Sequence, residues 1–324
     1  MPPAEPLHPR ATPSSSEATP SEASPSEASR SEASPSEATP SGTGPGDTAP
    51  ADATRAPGAT PTPALLDELT AIALEAARGA AAVLEEGYGQ RRDHVETKSS
   101  PTDMVSEVDR AAEDHITRLL AGRRPDDAVL GEEGASRPWT TAVRWVVDPL
   151  DGTTNYLFGI PAWSVSIAAE WAGRAVVGVV VDPSRHEEWQ AGAGRGATCN
   201  GERCRVATGR SELSTALVGT GFSYRRDRRA WAAALLARVL PEVRDIRRFG
   251  SAALDLCWVA GGRYDAYYEW GLNPWDLAAG RLVCEEAGAT VTHHDGGMVV
   301  AAVAELYGPL HRLLDEAGAF EPPR

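Results

Sequence analysis

Trp145-Val146-Val147-Asp148-Pro149-Leu150-Asp151-Gly152-Thr153-Thr154-Asn155 is the stretch on which the reading of this chain turns. A β-branched apolar run ends in an acid, and Pro149 restricts Asp148 to extended backbone, so its carboxylate is held at a strand's exit. A turn at Pro149-Leu150 is expected to bring Asp151 back toward it. Two carboxylates and a free carbonyl then converge on hard cations, which take oxygen ligands; without a cation the two acids repel. Gly152-Thr153-Thr154-Asn155 follows at once, where backbone amides can cradle a phosphate at the start of a helical turn. Metals beside an anion pocket are the ingredients of metal-assisted phosphoryl transfer. Taken alone, the same residues also describe a plain surface turn, with Asp and Gly present for backbone reasons.

Other acids in matching contexts shift that balance. Gly131-Glu132-Glu133-Gly134 follows the run Ala128-Val129-Leu130 and supplies a third strand-end carboxylate. Pro274-Trp275-Asp276 opens an apolar helix, and negative charge is favoured in a first turn, a role Asp276 can fill with or without a metal.

Around these segments the spacing predicts two helices before any strong strand. Thr62-Pro63 caps the first, with Leu65, Leu69, Ile72, Ala76, Ala80 and Val83 recurring every three or four residues until Gly87 and Gly89 end it. Val105, Val108, Ala112, Ile116 and Leu119 mark the second, which stops near Gly122. Short runs at 144–148, 163–169, 175–181 and 186–190 then read as a meander of antiparallel strands covered by these helices. Beyond Cys204 the texture becomes alternating, with strands near 215–220 and 264–268 and helices near 230–240, 251–260 and 275–287. The expected division is a low-complexity tail over 1–63, an N-terminal metal-binding subdomain over 64–204, and a C-terminal α/β subdomain over 205–324 that completes the site.

The tail has Leu7 as its only branched aliphatic residue, and a Ser-Glu-Ala pentad runs five times from Ser16 to Pro40. Such a segment cannot bury enough apolar surface to offset ordering entropy and is expected to be disordered. The chain carries a net charge of −15, with eight acids against three bases in the tail. This argues against general nucleic-acid affinity and suits a site that collects divalent cations. No apolar run is long enough to span a bilayer, so a cytoplasmic protein is expected. The four cysteines lack zinc-site spacing and read as reduced, buried thiols. His293-His294 reads as part of a polar turn, Arg225 to Arg229 as a solvated helix entrance, and Trp139, Trp163 and Trp270 as packing residues.

Ser100-Pro101-Thr102-Asp103, Gly131-Glu132-Glu133, the run from Trp145 to Asn155, and Trp275-Asp276-Leu277-Ala278-Ala279-Gly280 resemble, in this order, the signatures of the inositol monophosphatase family. Phe249-Gly250-Ser251-Ala252-Ala253-Leu254-Asp255 and Tyr268-Glu269-Trp270-Gly271-Leu272 resemble its bacterial members. The match runs from about Ala64 to the C-terminal region. The resemblance implies a chain of mixed α+β and α/β character, folded as a five-layer αβαβα sandwich of the inositol monophosphatase and fructose-1,6-bisphosphatase type. It also implies two or three Mg²⁺ per site. Glu132, Asp148 and the Leu150 carbonyl would hold the first, and Asp148, Asp151 and Asp276 the second. A third, weaker Mg²⁺ would lean on Glu132, which joins Asp103 and Thr153 in the catalytic set. Asp103 and Thr153 would orient and deprotonate the attacking water. Phosphate would meet the amides of Gly152 and Thr153, and substrate hydroxyls would meet Asp151, the Ala252 backbone and Glu269.

The implied substrate is a small phosphate monoester, inositol 1-phosphate first. Relatives act on histidinol phosphate, fructose 1,6-bisphosphate or phosphoadenosine phosphate, and some bacterial relatives act through a macromolecular partner. A homodimer is the expected assembly, from the resemblance alone.

Overall fold

The computed structural model describes residues 60–88, 96–97, 104–105 and 107–321, which all belong to one compact unit. The chain runs through α1 (Pro63–Gly87), β1 (Glu96–Thr97), β2 (Met104–Val105), α2 (Glu107–Arg123), β3 (Ala128–Gly131), β4 (Ser136–Arg137), β5 (Val143–Asp151) and the short α3 (Thr153–Leu157). β6 (Ser164–Trp171), β7 (Arg174–Asp182), β8 (Glu187–Gly192), β9 (Gly196–Cys199) and β10 (Glu202–Arg203) follow. The remainder comprises β11 (Leu217–Thr220), α4 (Arg226–Val239), β12 (Asp245–Arg247), α5 (Ala252–Ala260), β13 (Ala266–Trp270), α6 (Pro274–Glu286), β14 (Thr290–His293), β15 (Met298–Ala302) and α7 (Ala304–Glu316).

α1 starts where the sequence places it: the Thr62 hydroxyl accepts the Leu65 N–H at 3.2 Å and Pro63 opens the first turn. Its apolar stripe is fully covered at Leu69, Ile72, Ala76, Ala80 and Leu84, each large aliphatic contributing about 1.5–3 kcal/mol of burial. In the eight-stranded sheet, ordered β10-β9-β8-β7-β6-β5-β3-β4, every pairing is antiparallel except that of β3 with β5. The five-stranded sheet runs β12-β11-β13-β15-β14, with β11 parallel to both neighbours.

Alternation along the strands sorts side chains between layers. Trp145 and Val147 pack with α1 and α2 on one face of the large sheet. Val146, Ala168 and Val180 face the other way, into a core shared with α5, α6 and one face of the small sheet. Val218, Tyr268 and Val300 turn to the outer face of that sheet, against α4 and α7. The layers are helix, sheet, helix, sheet, helix, the expected five-layer sandwich.

Three local expectations change. The chain does not turn back at Pro149-Leu150. β5 continues to Asp151 through a register shift, the two residues between Asp148 and Asp151 facing the one between Ser166 and Ser164. Proline has no N–H for the ladder, and a bulge absorbs the extra residue. His293 closes strand β14, while His294 packs against His311 and Phe320. β14, β15 and α7 go beyond what the local sequence pattern predicts: Met298 to Ala302 is buried at every position, so it lacks the alternation that marks a half-exposed strand. Among the described residues no helix is long and apolar enough to cross a membrane.

Candidate active site

The bulge that replaces the expected turn puts the backbone on show. The Asp148 Oδ1 accepts the Leu150 N–H at 3.0 Å, and the Leu150 carbonyl accepts the Thr153 hydroxyl at 3.1 Å. Gly152 then adopts φ +94, and a β-carbon there would lie 2.9 Å from the Ala162 carbonyl oxygen and 3.3 Å from that of Gly250. Both the left-handed backbone and the tight walls demand glycine. α3 starts at Thr153, and Asn155 ties it down by donating to the carbonyls of Ala162 at 2.7 Å and Phe249 at 2.5 Å.

Asp276 arrives from the other side because α6 can sit unusually close to its neighbours. A β-carbon on Gly178 of β7 would meet the Ala279 carbonyl oxygen at 2.7 Å, and one on Gly280 would meet the Ala253 carbonyl oxygen of α5 at 3.1 Å. Small residues at these crossings seat the helix between the sheet and α5. The Asp276 Oδ2 caps its own helix, accepting from the Asn273 N–H at 2.7 Å and from its side-chain amide at 3.2 Å. Asp151 is clamped in the same one-sided way: its Oδ2 accepts from the Ser251 hydroxyl at 2.6 Å and the Ala253 N–H at 2.8 Å. In both residues Oδ2 is the oxygen the fold engages.

Glu132 is placed through a buried neighbour. The Glu113 carboxylate accepts the N–H groups of Glu133 at 3.0 Å and Ala135 at 3.2 Å, which shapes the loop after β3. The cleft so formed, about 250 Å³, is lined by Glu132, Asp148, Leu150, Asp151, Gly152, Thr153, Glu269 and Asp276, with Phe222 to Tyr224 and Trp270 to Asn273 around its mouth.

Its electrostatics are those of crowded acids. Asp148 is 1% exposed; burial first, then the charges of Glu132, Asp151 and Asp276, raise its pKa well above the carboxylate range. Burial likewise pushes Asp151 up to about 7, against the lowering effect of its two hydrogen bonds. It pushes Asp276 up to about 8, with the Asp151 charge adding to the rise. Among the described residues no Lys, Arg or His forms an ion pair with Asp148, Asp151 or Asp276. Buried like charges without basic partners, each with one oxygen secured by the fold, make a donor set suited to a divalent cation. Still, among the described residues no three acidic, His or Cys side chains are gathered tightly enough to form a closed ligand shell. The fold brings the acids to one cleft and leaves their final convergence open.

One expected residue, Asp103, lies outside the described residues. Among the described residues, Asp109 of α2, fully buried, has its Oδ2 3.5 Å from the Thr153 hydroxyl oxygen. The sequence did carry a signal for it: Asp109 sits three residues before Ala112 and seven before Ile116, an acid on the apolar stripe of an amphipathic helix. Ala252 opens α5 beside the cleft but is not among the residues lining it; Ser251 and Ala253, its neighbours, are the ones that bond Asp151.

Residues 65–319 match the model of the inositol monophosphatase family. An inositol-1-monophosphatase SuhB of Mycobacterium tuberculosis is 48% identical over 242 residues, covering 70% of this chain and 83% of that protein. A Nus factor SuhB of Pasteurella multocida is 41% identical over 247 residues, covering 76% and 92%. Among solved structures, the extragenic suppressor protein SuhB of Bartonella henselae superposes with a TM-score of 0.71 at 38% identity, covering 77% of this chain and 99% of the other. With the layered sandwich, the acid cleft and these likenesses together, the chain belongs to the inositol monophosphatase family.

Proposed function

We propose that this chain is a metal-dependent phosphomonoesterase of small polyol phosphates, with inositol 1-phosphate to inositol and phosphate as its first reaction. The observation that carries the reading is the cleft itself, where the buried carboxylates of Asp148, Asp151 and Asp276 are crowded with Glu132 beside the Gly152-Thr153 turn. Glu132, Asp148, the Leu150 carbonyl, Asp151 and Asp276 are the groups that would hold two or three Mg²⁺, an all-oxygen set for a hard cation. Bound there, the metal supplies neutralising charge for the entering and leaving oxygens of an in-line displacement.

The chain's own residues do the rest. Thr153 has one hydroxyl hydrogen and two acceptors in reach, the Leu150 carbonyl and Asp109. With that hydrogen turned to Asp109 Oδ2, the Thr153 oxygen accepts a proton from the attacking water as its own proton passes to Asp109, the base of this relay. The amides of Gly152 and Thr153 receive phosphate oxygens. Glu269, the Ala252 backbone and Asp151 meet the polyol hydroxyls. A homodimer acting in the cytoplasm, divided into subdomains over 64–204 and 205–324, completes the proposal. The test is phosphate release from inositol 1-phosphate with and without Mg²⁺; a metal-independent rate, or none from any polyol phosphate, overturns it.

A second reading is action through a macromolecular partner, which draws on the name of the Pasteurella relative and on the exposed Arg225, Arg226 and Arg229 at the start of α4. Asp148→Asn separates the two: biological function that survives loss of hydrolysis favours the partner role.

A further inference from the structure

The parallel pairing of β11 with β13 sets Gly219 opposite Tyr267. Two residues further on stand Gly221, one residue past the end of β11, and Glu269, and the space beside Gly221 is filled by the Glu269 carboxylate. Each glycine makes room for a large neighbour. A β-carbon on Gly219 would meet the Tyr264 ring at 2.8 Å and the Tyr267 ring at 3.2 Å. A β-carbon on Gly221 would fall inside the carboxylate of Glu269, touching both its oxygens and its carbon. On the other side the Tyr267 hydroxyl, on a ring fully buried in the sheet's inner face, donates to Glu269 Oε2. Glu269 is thus held between a missing side chain and a buried hydroxyl. Oε2 is engaged, and Glu269 lines the cleft with Asp151 and Asp276.

We propose that Tyr267 and Gly221 are the positioning residues that set this protein's selectivity for polyol phosphates, by fixing Glu269 as a hydrogen-bond acceptor at one distance from the phosphate pocket. The inference rests on the phosphatase reading above and deepens it. A side chain free to rotate would lose most of its acceptor strength to water and to ordering entropy; one clamped at both ends has that ordering done by the fold. A substrate whose hydroxyl meets this carboxylate gains from the clamp, and an ester with no hydroxyl does not. Burial raises the Glu269 pKa to about 7 while the Tyr267 bond and the Arg248 charge lower it, in keeping with a bond that favours the charged acceptor.

The experiment compares kcat/KM for inositol 1-phosphate and for phenyl phosphate, which has no hydroxyl, in the full chain with Mg²⁺. Tyr267→Phe is expected to lower the ratio of the two about tenfold, the scale of one hydrogen bond to a charged group. The loss should fall in KM for the polyol ester, with phenyl phosphate turnover kept. Gly221→Ala should lower the same ratio by displacing the carboxylate. In a Glu269→Ala background Tyr267→Phe should have no further effect on the ratio, a coupling that a general loosening of the sheet would not produce. Unchanged ratios in both single variants, or equal losses with and without Glu269, overturn the clamp and leave the phosphatase reading standing. Should the unsubstituted chain hydrolyse neither ester, that reading falls instead. The clamp is then decided by a crystal structure of Tyr267→Phe: a Glu269 that swings away supports it, and one that does not move overturns it.

Discussion

The two sheets meet at one cleft and contribute to it in different ways. The eight-stranded sheet delivers its acids from a single strand end: Asp148 and Asp151 are three residues apart on β5, and Thr153 follows at once. The five-stranded sheet delivers Glu269 through a pairing between strands about fifty residues apart in sequence, with Tyr267 and Gly221 as its supports. The β5 acids are set by their neighbours in sequence, and Glu269 by contacts at long range. The first region can therefore be recognised as a motif, while the second exists only once β11 and β13 have found each other.

The comparison breaks most readily on the β5 side. Asp148→Asn removes a charge that faces three other acids, and kcat/KM should fall at least about a thousandfold, since several kcal/mol of charge neutralisation is at stake. A loss under tenfold in Mg²⁺-saturated assays would place the reaction elsewhere in the molecule.

Next in size is the pair Asp109 and Asp103. Asp109→Asn should cost about a hundredfold in kcat, the lower range for a positioned base, and Thr153→Val a comparable factor. Asp103→Asn should cost clearly less. The opposite order, read from kcat of the two purified variants, would return the base to Asp103.

The acid cleft also makes stability depend on pH with a defined sign. Asp151 and Asp276 have folded pKa values of about 7 and about 8, above the ordinary carboxylate value of about 4 in an unfolded chain. Their contribution to stability is therefore fully present below about pH 4 and is lost as pH rises through the folded values. With chelator present, Tm should fall from pH 5 to pH 8.5. Added Mg²⁺ should raise Tm more at pH 8.5 than at pH 5, where protons compete for the same oxygens. A Tm that rises over that window in chelator would show that the acids are not crowded as described.

The smallest effect belongs to neither sheet. Removing residues 1–60 leaves Thr62 to cap α1 and keeps every described residue that lines the cleft. Turnover should stay within about twofold; a larger loss would give the tail a part in catalysis.

Much of this was legible in advance where the cause is local. The start of α1 follows from Thr62-Pro63, and the acids at 148, 151 and 276 follow from strand ends and a helix start that their neighbours specify. Asp109 is not legible as a site residue because an acid in a helical period reads as a solvated position until burial is known. Pro149 reads equally as a turn or a bulge, because a proline and an extended preference fit either one. β15 carries no local signal because a strand buried on both faces has no period to detect.

By itself the sequence determined the composition of the layers, the glycine at 152 and the set of carboxylates, because these depend on dihedral preference, hydrophobic period and charge within a few residues. Only the tertiary structure decided that Asp109 stands beside Thr153 across 44 residues, what bonds one oxygen of Asp151, and what holds Glu269. Each of these is a contact between segments distant in the chain, and its geometry comes from packing that no local preference encodes.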